Sequence, residues 1–237
     1  VGISIQNSGK IHLDQVSIAG CREDGVRVVG PGIERYDEPV SLTRSVVSDC
    51  QGAGATVSES PAFIILDSTI TTAGRAALDI NSPSSVIANT FCSRSDTGII
   101  IHSSDALLVR NQVVQNATGV RLGSRSEYPL VYENIIQGNE TGIIFDGKEA
   151  TVGWNRFGNT NEMRGGGSRN VLYPNYGMSA DSIANAGVSY FNPPTTSNFH
   201  DEQVIWKSES DGEKVYGRHQ MAITAGPDGM NVRDVNR

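Results

Sequence analysis

Apolar and polar residues alternate in short segments along most of this chain. The clearest pairs of apolar residues that stand one residue apart are Val26 and Val28, Leu78 and Ile80, and Val120 and Leu122. A period of two is typical of a strand that turns one face toward the protein interior. Because these segments lack a helical period, the pattern predicts short strands and not helices.

The segment from Gly98 to Asn155 repeats one pattern at intervals of just over twenty residues. Each repeat contains an asparagine followed by apolar residues, then a Thr-Gly pair, then another apolar run. Since the same kind of strand returns only once per repeat, neighbouring repeats are expected to pair as parallel strands and not as hairpins. The pattern therefore predicts an all-β fold, a β-solenoid with three short strands in each coil.

Four asparagines recur at the same point of the repeat. They are Asn89, Asn111, Asn134 and Asn155. We expect them to stack at one corner of the coil, with each amide bonding the coils above and below, because amide ladders satisfy the backbone of stacked turns.

Two further recurring features have both a structural and a chemical explanation. Asn116 and Asn139 begin Asn-X-Thr sequences that match the glycosylation pattern, but both coincide with the recurring turn, and turn chemistry explains them without a sugar. Cys21 and Cys50 fall in the same inward slot of adjacent coils. Stacked free thiols and a disulfide both fit that spacing.

The composition limits the classes of partner. The formal net charge is −7 and no run of Lys or Arg is present, which argues against a nucleic acid. No apolar run approaches the roughly 20 residues that span a bilayer, so no membrane span is predicted. His200 and His219 lack cysteines or carboxylates at ligand spacing, and neither a metal site nor a cofactor is predicted.

The repeat pattern fails after Phe157, and we divide the chain there. Residues 1–157 are predicted to form the coils, residues 158–197 a cap and linker with a short helix at 178–187, and residues 198–237 a polar C-terminal extension. The extension is either part of an irregular cap or an arm that docks on a neighbouring subunit and makes a homo-oligomer. The chain opens inside a strand with neither an initiator Met nor a signal peptide, so we expect it to be part of a longer protein.

The block from Asn111 to Leu122, echoed at Asn134 and Asn155, resembles the right-handed parallel β-helix superfamily. That group contains pectate-lyase-like lyases, polysaccharide hydrolases and epimerases, phage tailspikes and periplasmic copper-delivery proteins. The motifs of its epimerase, polygalacturonase and calcium-dependent lyase branches are absent, so no catalytic residue carries over. The resemblance implies a single-stranded right-handed parallel β-helix that acts on or binds acidic polysaccharides. It also implies a location outside the cytoplasm, either extracellular, at the cell surface or in the periplasm.

Two longer segments interrupt the coils at one corner, between the first and second strands. Residues 29–39 bring Arg35, Tyr36 and Asp37, and residues 123–129 bring Arg125 and Tyr128. The two segments lie four coils apart, about 19 Å at the usual ladder spacing. We expect them to form the walls of a groove that binds substrate, because long loops on a rigid scaffold commonly carry function.

Between these walls, several polar residues are predicted to point outward from the first strand of each coil. Asp79, His102, Asp105 and Arg121 converge within about two coils and are the predicted catalytic residues. A carboxylate and an imidazole can serve as base and acid, while a guanidinium neutralises a substrate carboxylate or a developing enolate. The alternative is that these charges are an ordinary solvated surface.

Two hypotheses of different class follow. In the first, the protein is a polysaccharide-active enzyme, a lyase or a hydrolase, that uses the groove near His102. In the second, it is a non-catalytic structural solenoid, such as an adhesin, tailspike or filament component, that assembles through its C-terminal extension.

Overall fold

The structure is a computed structural model of the chain. It describes residues 1–7, 11–30, 39–60, 62–173 and 175–178 in full, and the backbone of 189–190, 203–206, 221–226 and 229–234. The chain divides into two compact units, Val1–Phe191 and Asn192–Arg237. No helix occurs among the described residues.

The first unit consists of three parallel sheets, and each of the first seven coils gives one strand to each sheet. The first sheet contains β1 (Ile3–Gln6), β4 (Val26–Val29), β7 (Ala55–Ser58), β10 (Ala76–Asn81), β13 (Thr97–Ile101), β16 (Thr118–Leu122), β19 (Thr141–Phe145) and β22 (Asn161–Gly165). The second sheet contains β2 (His12–Asp14), β5 (Val40–Thr43), β8 (Phe63–Leu66), β11 (Val86–Ala88), β14 (Leu107–Val109), β17 (Leu130–Tyr132), β20 (Thr151–Gly153), β23 (Val171–Leu172) and β24 (Ser189–Tyr190). The third sheet contains β3 (Ser17–Ala19), β6 (Val46–Cys50), β9 (Thr69–Ala73), β12 (Phe91–Ser93), β15 (Gln112–Val114), β18 (Ile135–Gln137) and β21 (Arg156–Gly158). The predicted parallel solenoid with three strands per coil is confirmed.

The core consists of apolar side chains that stack in columns inside the coils. One column of the first sheet is almost completely buried in six successive coils: Val28, Val57, Ile80, Ile101, Leu122 and Phe145. Each fully buried side chain of this size stabilises the fold by about 1.5–3 kcal/mol. A strict period of two within each strand therefore gives a continuous core.

The chain turns the corners between sheets with single residues in the left-handed conformation. At the corner between the second and third sheets these include Arg110, Glu133 and Trp154, with φ of 57°, 53° and 54°. None is glycine, although the left-handed region costs most residues about 1–2 kcal/mol. The hydrogen bonds between coils offset that cost.

Each Thr-Gly pair begins a strand of the first sheet, and its glycine is required because a side chain at that position would clash with its neighbours. A Cβ at Gly98 would lie 2.4 Å from the Val113 side chain and 2.6 Å from the carbonyl oxygen of Gly119. Gly119 and Gly142 meet equally close neighbours. The recurring glycine thus lets the third-sheet side chains and the next coil approach the backbone.

A buried asparagine ladder runs along the corner between the second and third sheets. Its members are Asn111, Asn134, Asn155 and Asn175, and each of the first three donates from Nδ2 to Oδ1 of the next over 2.9–3.0 Å. The backbone N–H of each of these three also donates to that same oxygen over 2.9 Å. The prediction of a corner ladder is confirmed for Asn111, Asn134 and Asn155.

The prediction that Asn89 belongs to this ladder is wrong by one residue. Asn89 is exposed, has φ of 50°, and donates to the carboxylate of Asp67 over 3.1 Å. The ladder position in this coil is taken by Thr90, whose backbone N–H donates to Oδ1 of Asn111 over 3.0 Å. Since Asn tolerates the left-handed region, the same residue type suits both adjacent positions.

A second ladder stacks Asn116, Asn139 and Asn159 at the corner between the third and first sheets. Asn116 and Asn139 are 5% and 2% exposed, and the Nδ2 atom of each donates to the next asparagine or to a backbone carbonyl. The glycosylation acceptor nitrogen is therefore buried in the folded protein, and turn chemistry accounts for both sequences.

The other sequence predictions concern the cysteines, the helix at 178–187 and the C-terminal part of the chain. Cys21 and Cys50 are free thiols in the structure. Apart from Met178, the helix predicted at 178–187 lies outside the described residues. In the second unit, β25 (Gln203–Trp206), β26 (Met221–Gly226) and β27 (Gly229–Asp234) pair as one antiparallel sheet. The division of the chain at residues 157 and 197 stays a prediction.

Candidate functional site

The outer face of the first sheet carries the polar column that the sequence predicted. Register pairs its members in successive coils, and they are Arg27, Thr56, Asp79, Ile100 and Arg121. The side chains alternate with the buried core positions of the same strands. The face is therefore set by the same period of two that builds the core.

Asp79 and His102 are in direct contact on this face. His102 immediately follows β13, and its backbone N–H donates to the carbonyl of Ile80 over 2.8 Å, which fixes the residue one coil above Asp79. Nε2 of His102 lies 3.2 Å from Oδ1 of Asp79. The guanidinium of Arg75 contacts the other carboxylate oxygen of Asp79 and also donates to the Thr56 hydroxyl over 3.1 Å.

The surroundings of Asp79 keep its carboxyl group ionised. Burial by itself would raise the pKa of Asp79, but the hydrogen bond from His102 and the charge of Arg75 outweigh it, and the pKa lies below its usual value. An ionised Asp79 accepts a hydrogen bond from Nε2 and so orients the imidazole. The pair thus has the arrangement of a proton-transfer group and its positioning carboxylate.

Gly123 leaves space beside the other nitrogen of the His102 ring. A Cβ at Gly123 would lie 2.9 Å from Nδ1 of His102. The His102 side chain is 35% exposed, whereas that of Asp79 is only 11% exposed. When Nε2 donates to Asp79, Nδ1 keeps a lone pair next to the notch that Gly123 leaves.

Arg121 does not join the Asp79 and His102 pair. It lies two coils from Asp79, about 10 Å at the ladder spacing, with Ile100 between them. Its Nε and Nη2 atoms lie 3.0 and 2.8 Å from Oδ2 of Asp146. The four predicted catalytic residues therefore do not form one cluster.

Asp105 belongs to a turn and not to the outward column. It lies at the corner between the first and second sheets, is 3% exposed and has φ of 59°. Its backbone N–H donates to the carbonyl of Glu127 over 2.8 Å. Burial in a turn separates Asp105 from the exposed face on which His102 lies.

Of the two predicted groove walls, only the one formed by residues 123–129 lies within the described residues. Arg125 is exposed, and Tyr128 is 48% exposed with φ of 55°. A hydrogen bond to the Glu149 carboxylate raises the pKa of the Tyr128 phenol. Arg35, Tyr36 and Asp37 lie outside the described residues, so the opposite wall stays a prediction.

Sequence reasoning missed a charged network that precedes the outward column. Asp24 accepts from the backbone N–H of Ala53 and from Nε of Arg27, both over 2.9 Å, and Arg75 approaches it to 3.9 Å. Burial would raise the pKa of Asp24, but these hydrogen bonds hold it below its usual value. The available signal was an opposite charge three or four residues before an outward residue, at Asp24 before Arg27 and Arg75 before Asp79.

The described residues contain no group of three or more His, Cys, Asp or Glu side chains suited to hold a metal ion. Within the same part of the chain, no helix has the length and apolar character that crossing a membrane requires.

No curated protein matches the chain. A similar solved structure is that of trypsin-treated QnrB1, described as a plasmid-mediated fluoroquinolone resistance protein. The two chains are 12% identical, the match covers 75% of this chain and 92% of that chain, and the TM-score is 0.27. At that TM-score the likeness carries no argument about this protein.

The family comparison concerns the coils themselves. The family model described as the right handed beta helix region matches residues 1–157, which hold seven coils with a strand in each of the three parallel sheets. The chain belongs to the right-handed β-helix family.

Proposed function

We propose that the outer face of the first sheet binds an acidic polysaccharide and that His102, positioned by Asp79, transfers a proton during cleavage of the polymer. The observation that carries the proposal is the 3.2 Å contact between Nε2 of His102 and the Asp79 carboxylate. A carboxylate, an imidazole and a nearby guanidinium are the groups that proton abstraction beside a uronate carboxylate requires.

The residues of the face favour elimination over hydrolysis. Glycoside hydrolysis commonly uses two carboxylates that flank the scissile bond, whereas Asp79 is already engaged by His102 and Arg75. In elimination, Nδ1 of His102 accepts the C5 proton of a uronate residue, a C4–C5 double bond forms and the C4–O bond breaks. The departing oxygen takes a proton from water, His102 returns the C5 proton to the solvent, and the product carries an unsaturated uronate end.

Arg121 supplies the positive charge for the substrate carboxylate in this scheme. Its contacts with Asp146 use Nε and Nη2, and the side chain is still 52% exposed. A guanidinium has five N–H donors, so Nη1 remains for a second anion. Such a polymer is found outside cells, and we propose an extracellular, cell-surface or periplasmic location on that ground.

A second candidate is the structural solenoid that assembles through residues 198–237. The observation in its favour is a set of exposed ion pairs that link adjacent coils and satisfy one another's charge. These pairs are Asp14 with Arg44, Arg110 with Glu133, Arg121 with Asp146, Glu127 with Lys148, and Glu149 with Arg169. A face whose charges are already paired suits a spacer as well as a binding surface.

The test is to incubate the purified chain with polygalacturonate, alginate and neutral polysaccharides. Both new reducing ends and the ultraviolet absorbance of unsaturated uronates are followed. We expect elimination products, and we expect His102→Gln to lower the rate by about 100-fold or more. His12→Gln is the matched control, because His12 is an exposed histidine of the second sheet that contacts Ser41 over 2.6 Å.

Each alternative has its own outcome in this experiment. Reducing ends without the absorbance would replace the lyase by a hydrolase. If the wild-type chain cleaves none of the polymers and self-associates in a concentration-dependent way, the structural solenoid is favoured.

A further inference from the structure

The third sheet and its corner with the second sheet form an open depression away from the first-sheet face. Its volume is about 540 Å³, and it is lined by Glu133, Asn134, Ile135, Trp154, Arg156 and Tyr176. Tyr176 is 67% exposed, the largest exposed fraction among the large apolar and aromatic side chains that the structure describes. A surface of this composition suits a ligand that has both an apolar and a polar face.

Trp154, which lines this depression, is held from behind by two further aromatic rings. The Trp154 ring stacks on Tyr132 at a centroid distance of 5.7 Å and on Tyr173 at 5.3 Å, with interplanar angles of 25° and 21°. Tyr132 and Gly153 pair in the same outward column of the second sheet, and Tyr173 follows one coil later. The indole therefore stacks against two tyrosines that flank Gly153 in that column.

The two tyrosine side chains can lie this close to residue 153 because that residue is glycine. A Cβ at that position would lie 2.8 Å from Cε1 of Tyr132 and 2.9 Å from the Tyr173 side chain. Trp154 follows Gly153 in the left-handed conformation, with φ of 54°, and its ring stacks against both of these tyrosines. Tyr132 is 1% exposed while Trp154 is half-buried, so the stack is anchored in the protein and presents only its outer part to solvent.

The charges around the rings favour an anion. Nε of Arg110 lies 2.7 Å from the Glu133 carboxylate, which neutralises that carboxylate. Arg156 is exposed, is paired in register with Ile135 and Tyr176, and has no ion pair with the residues that the structure describes. The lining therefore has one uncompensated positive charge beside an aromatic surface.

We propose that this depression is a binding subsite for a uronate residue of an acidic oligosaccharide. The apolar C–H face of the sugar ring lies against Trp154 and Tyr176, and its carboxylate pairs with Arg156. The subsite shares a polymer class with the proposed function but not its residues, and it does not require cleavage at His102. It would hold a chain on the third-sheet side of the coils near the end of the first unit.

The experiment measures binding in the His102→Gln background, so that turnover does not consume the ligand. Oligogalacturonates and neutral malto-oligosaccharides of equal length are titrated by calorimetry. We expect oligogalacturonate to bind, and we expect Tyr176→Ala and Arg156→Gln each to weaken it about tenfold, the equivalent of about 1.4 kcal/mol. Val46→Ala and Arg94→Gln are matched controls, because Val46 is 45% exposed in the same sheet and Arg94 is exposed at another corner.

Several results would overturn the proposal. One is equal affinity of Tyr176→Ala and the background protein, and another is equal binding of neutral and acidic oligosaccharides with no effect of Arg156→Gln. A third is a change of oligomeric state on Tyr176→Ala without a change in sugar affinity, which would make the depression a protein interface. Binding that persists when no polymer is cleaved by the wild-type chain would refute the proposed lyase and leave the subsite standing.

Discussion

The coils of this protein are tied together by two kinds of ladder that differ in burial and charge. At the corner between the second and third sheets, buried neutral amides bond one coil to the next. On the surface, exposed ion pairs such as Arg121 with Asp146 span the same distance between coils. The first ladder is costly to interrupt because its backbone partners have no access to water, whereas the second exchanges protein partners for water easily.

This difference separates stability from function along the same solenoid. A repeat can hold its coils with the amide ladders and the apolar columns alone. The outward residues of the first sheet are then free to carry charge, and their types vary from Arg27 and Thr56 to Asp79 and Ile100. The variants below test whether the amide ladders set stability while the exposed charges set function.

The largest expected effect is from Asn134→Ala. The Asn134 side chain accepts two hydrogen bonds from Asn111 and donates to Leu108, Tyr132 and Asn155, all over 2.9–3.0 Å. Removing it leaves buried backbone groups without partners, and we expect the free energy of unfolding in urea to fall by about 3 kcal/mol. Asn89→Ala, at the exposed neighbouring position with φ of 50°, is expected to lower it by only about 1 kcal/mol, because alanine tolerates the left-handed conformation less well than asparagine. Equal effects of the two variants would contradict the ladder assignment.

Asp79→Asn should damage catalysis more than folding. The amide keeps the shape of the side chain but removes the negative charge beside the imidazole, so we expect the rate on the cleaved polymer to fall about 100-fold, equivalent to about 2.7 kcal/mol in the barrier. A rate that falls only in parallel with the folded fraction would show that Asp79 is structural.

Acid should weaken the first-sheet face through Asp79 and Asp24. Both carboxyl groups have a lower pKa in the folded protein than in the unfolded chain. Their contribution to stability is therefore fully present above the unfolded pKa of about 4 and is lost as the pH falls below it. Urea unfolding between about pH 6 and pH 3 should show this loss, and Asp79→Asn should show less of it. An identical pH dependence of the two proteins would refute the prediction for Asp79.

The smallest effect on stability is expected from the pair of Arg121 and Asp146. Both side chains are partly exposed, so Arg121→Gln and Asp146→Asn should each change the free energy of unfolding by less than about 1 kcal/mol. The two variants differ in the activity assay, because only Arg121 is proposed to contact the substrate. We expect Arg121→Gln to raise KM for the acidic polymer and Asp146→Asn to leave it unchanged or lower it. The opposite order would remove Arg121 from the proposed site.

Sequence periodicity predicted the coils and the outward column because both depend on local spacing. A period of two within strands and a repeat of just over twenty residues suffice to place Asp79 and Arg121 on one face. The ladder was predicted to within one residue, and the error at Asn89 arose because asparagine suits the left-handed corner as well as the stacked position beside it. Side-chain type alone does not distinguish two adjacent turn positions.

The pairing of charges was not predictable in the same way. The sequence placed Asp79, His102, Asp105 and Arg121 in one cluster, since all four lie within about two coils. In the structure Asp105 is buried in a turn, Arg121 reaches up to Asp146, and Arg75 takes the place beside Asp79. Which of several neighbouring charges a long side chain meets depends on rotamers and on the free space left by residues such as Gly123.

The sequence by itself determined the architecture of this protein: parallel coils, an apolar interior, an asparagine corner and a polar first-sheet face. These follow from which residues repeat and at what interval, because a repeat that buries one face in every coil leaves few other ways to fold. Only the tertiary structure decided that His102 meets Asp79, that Trp154 stacks between Tyr132 and Tyr173, and that Arg156 has no ion pair with any described residue. Those contacts join residues of different coils at side-chain distances, where a shift of a few ångströms changes the partner and the repeat period imposes no preference.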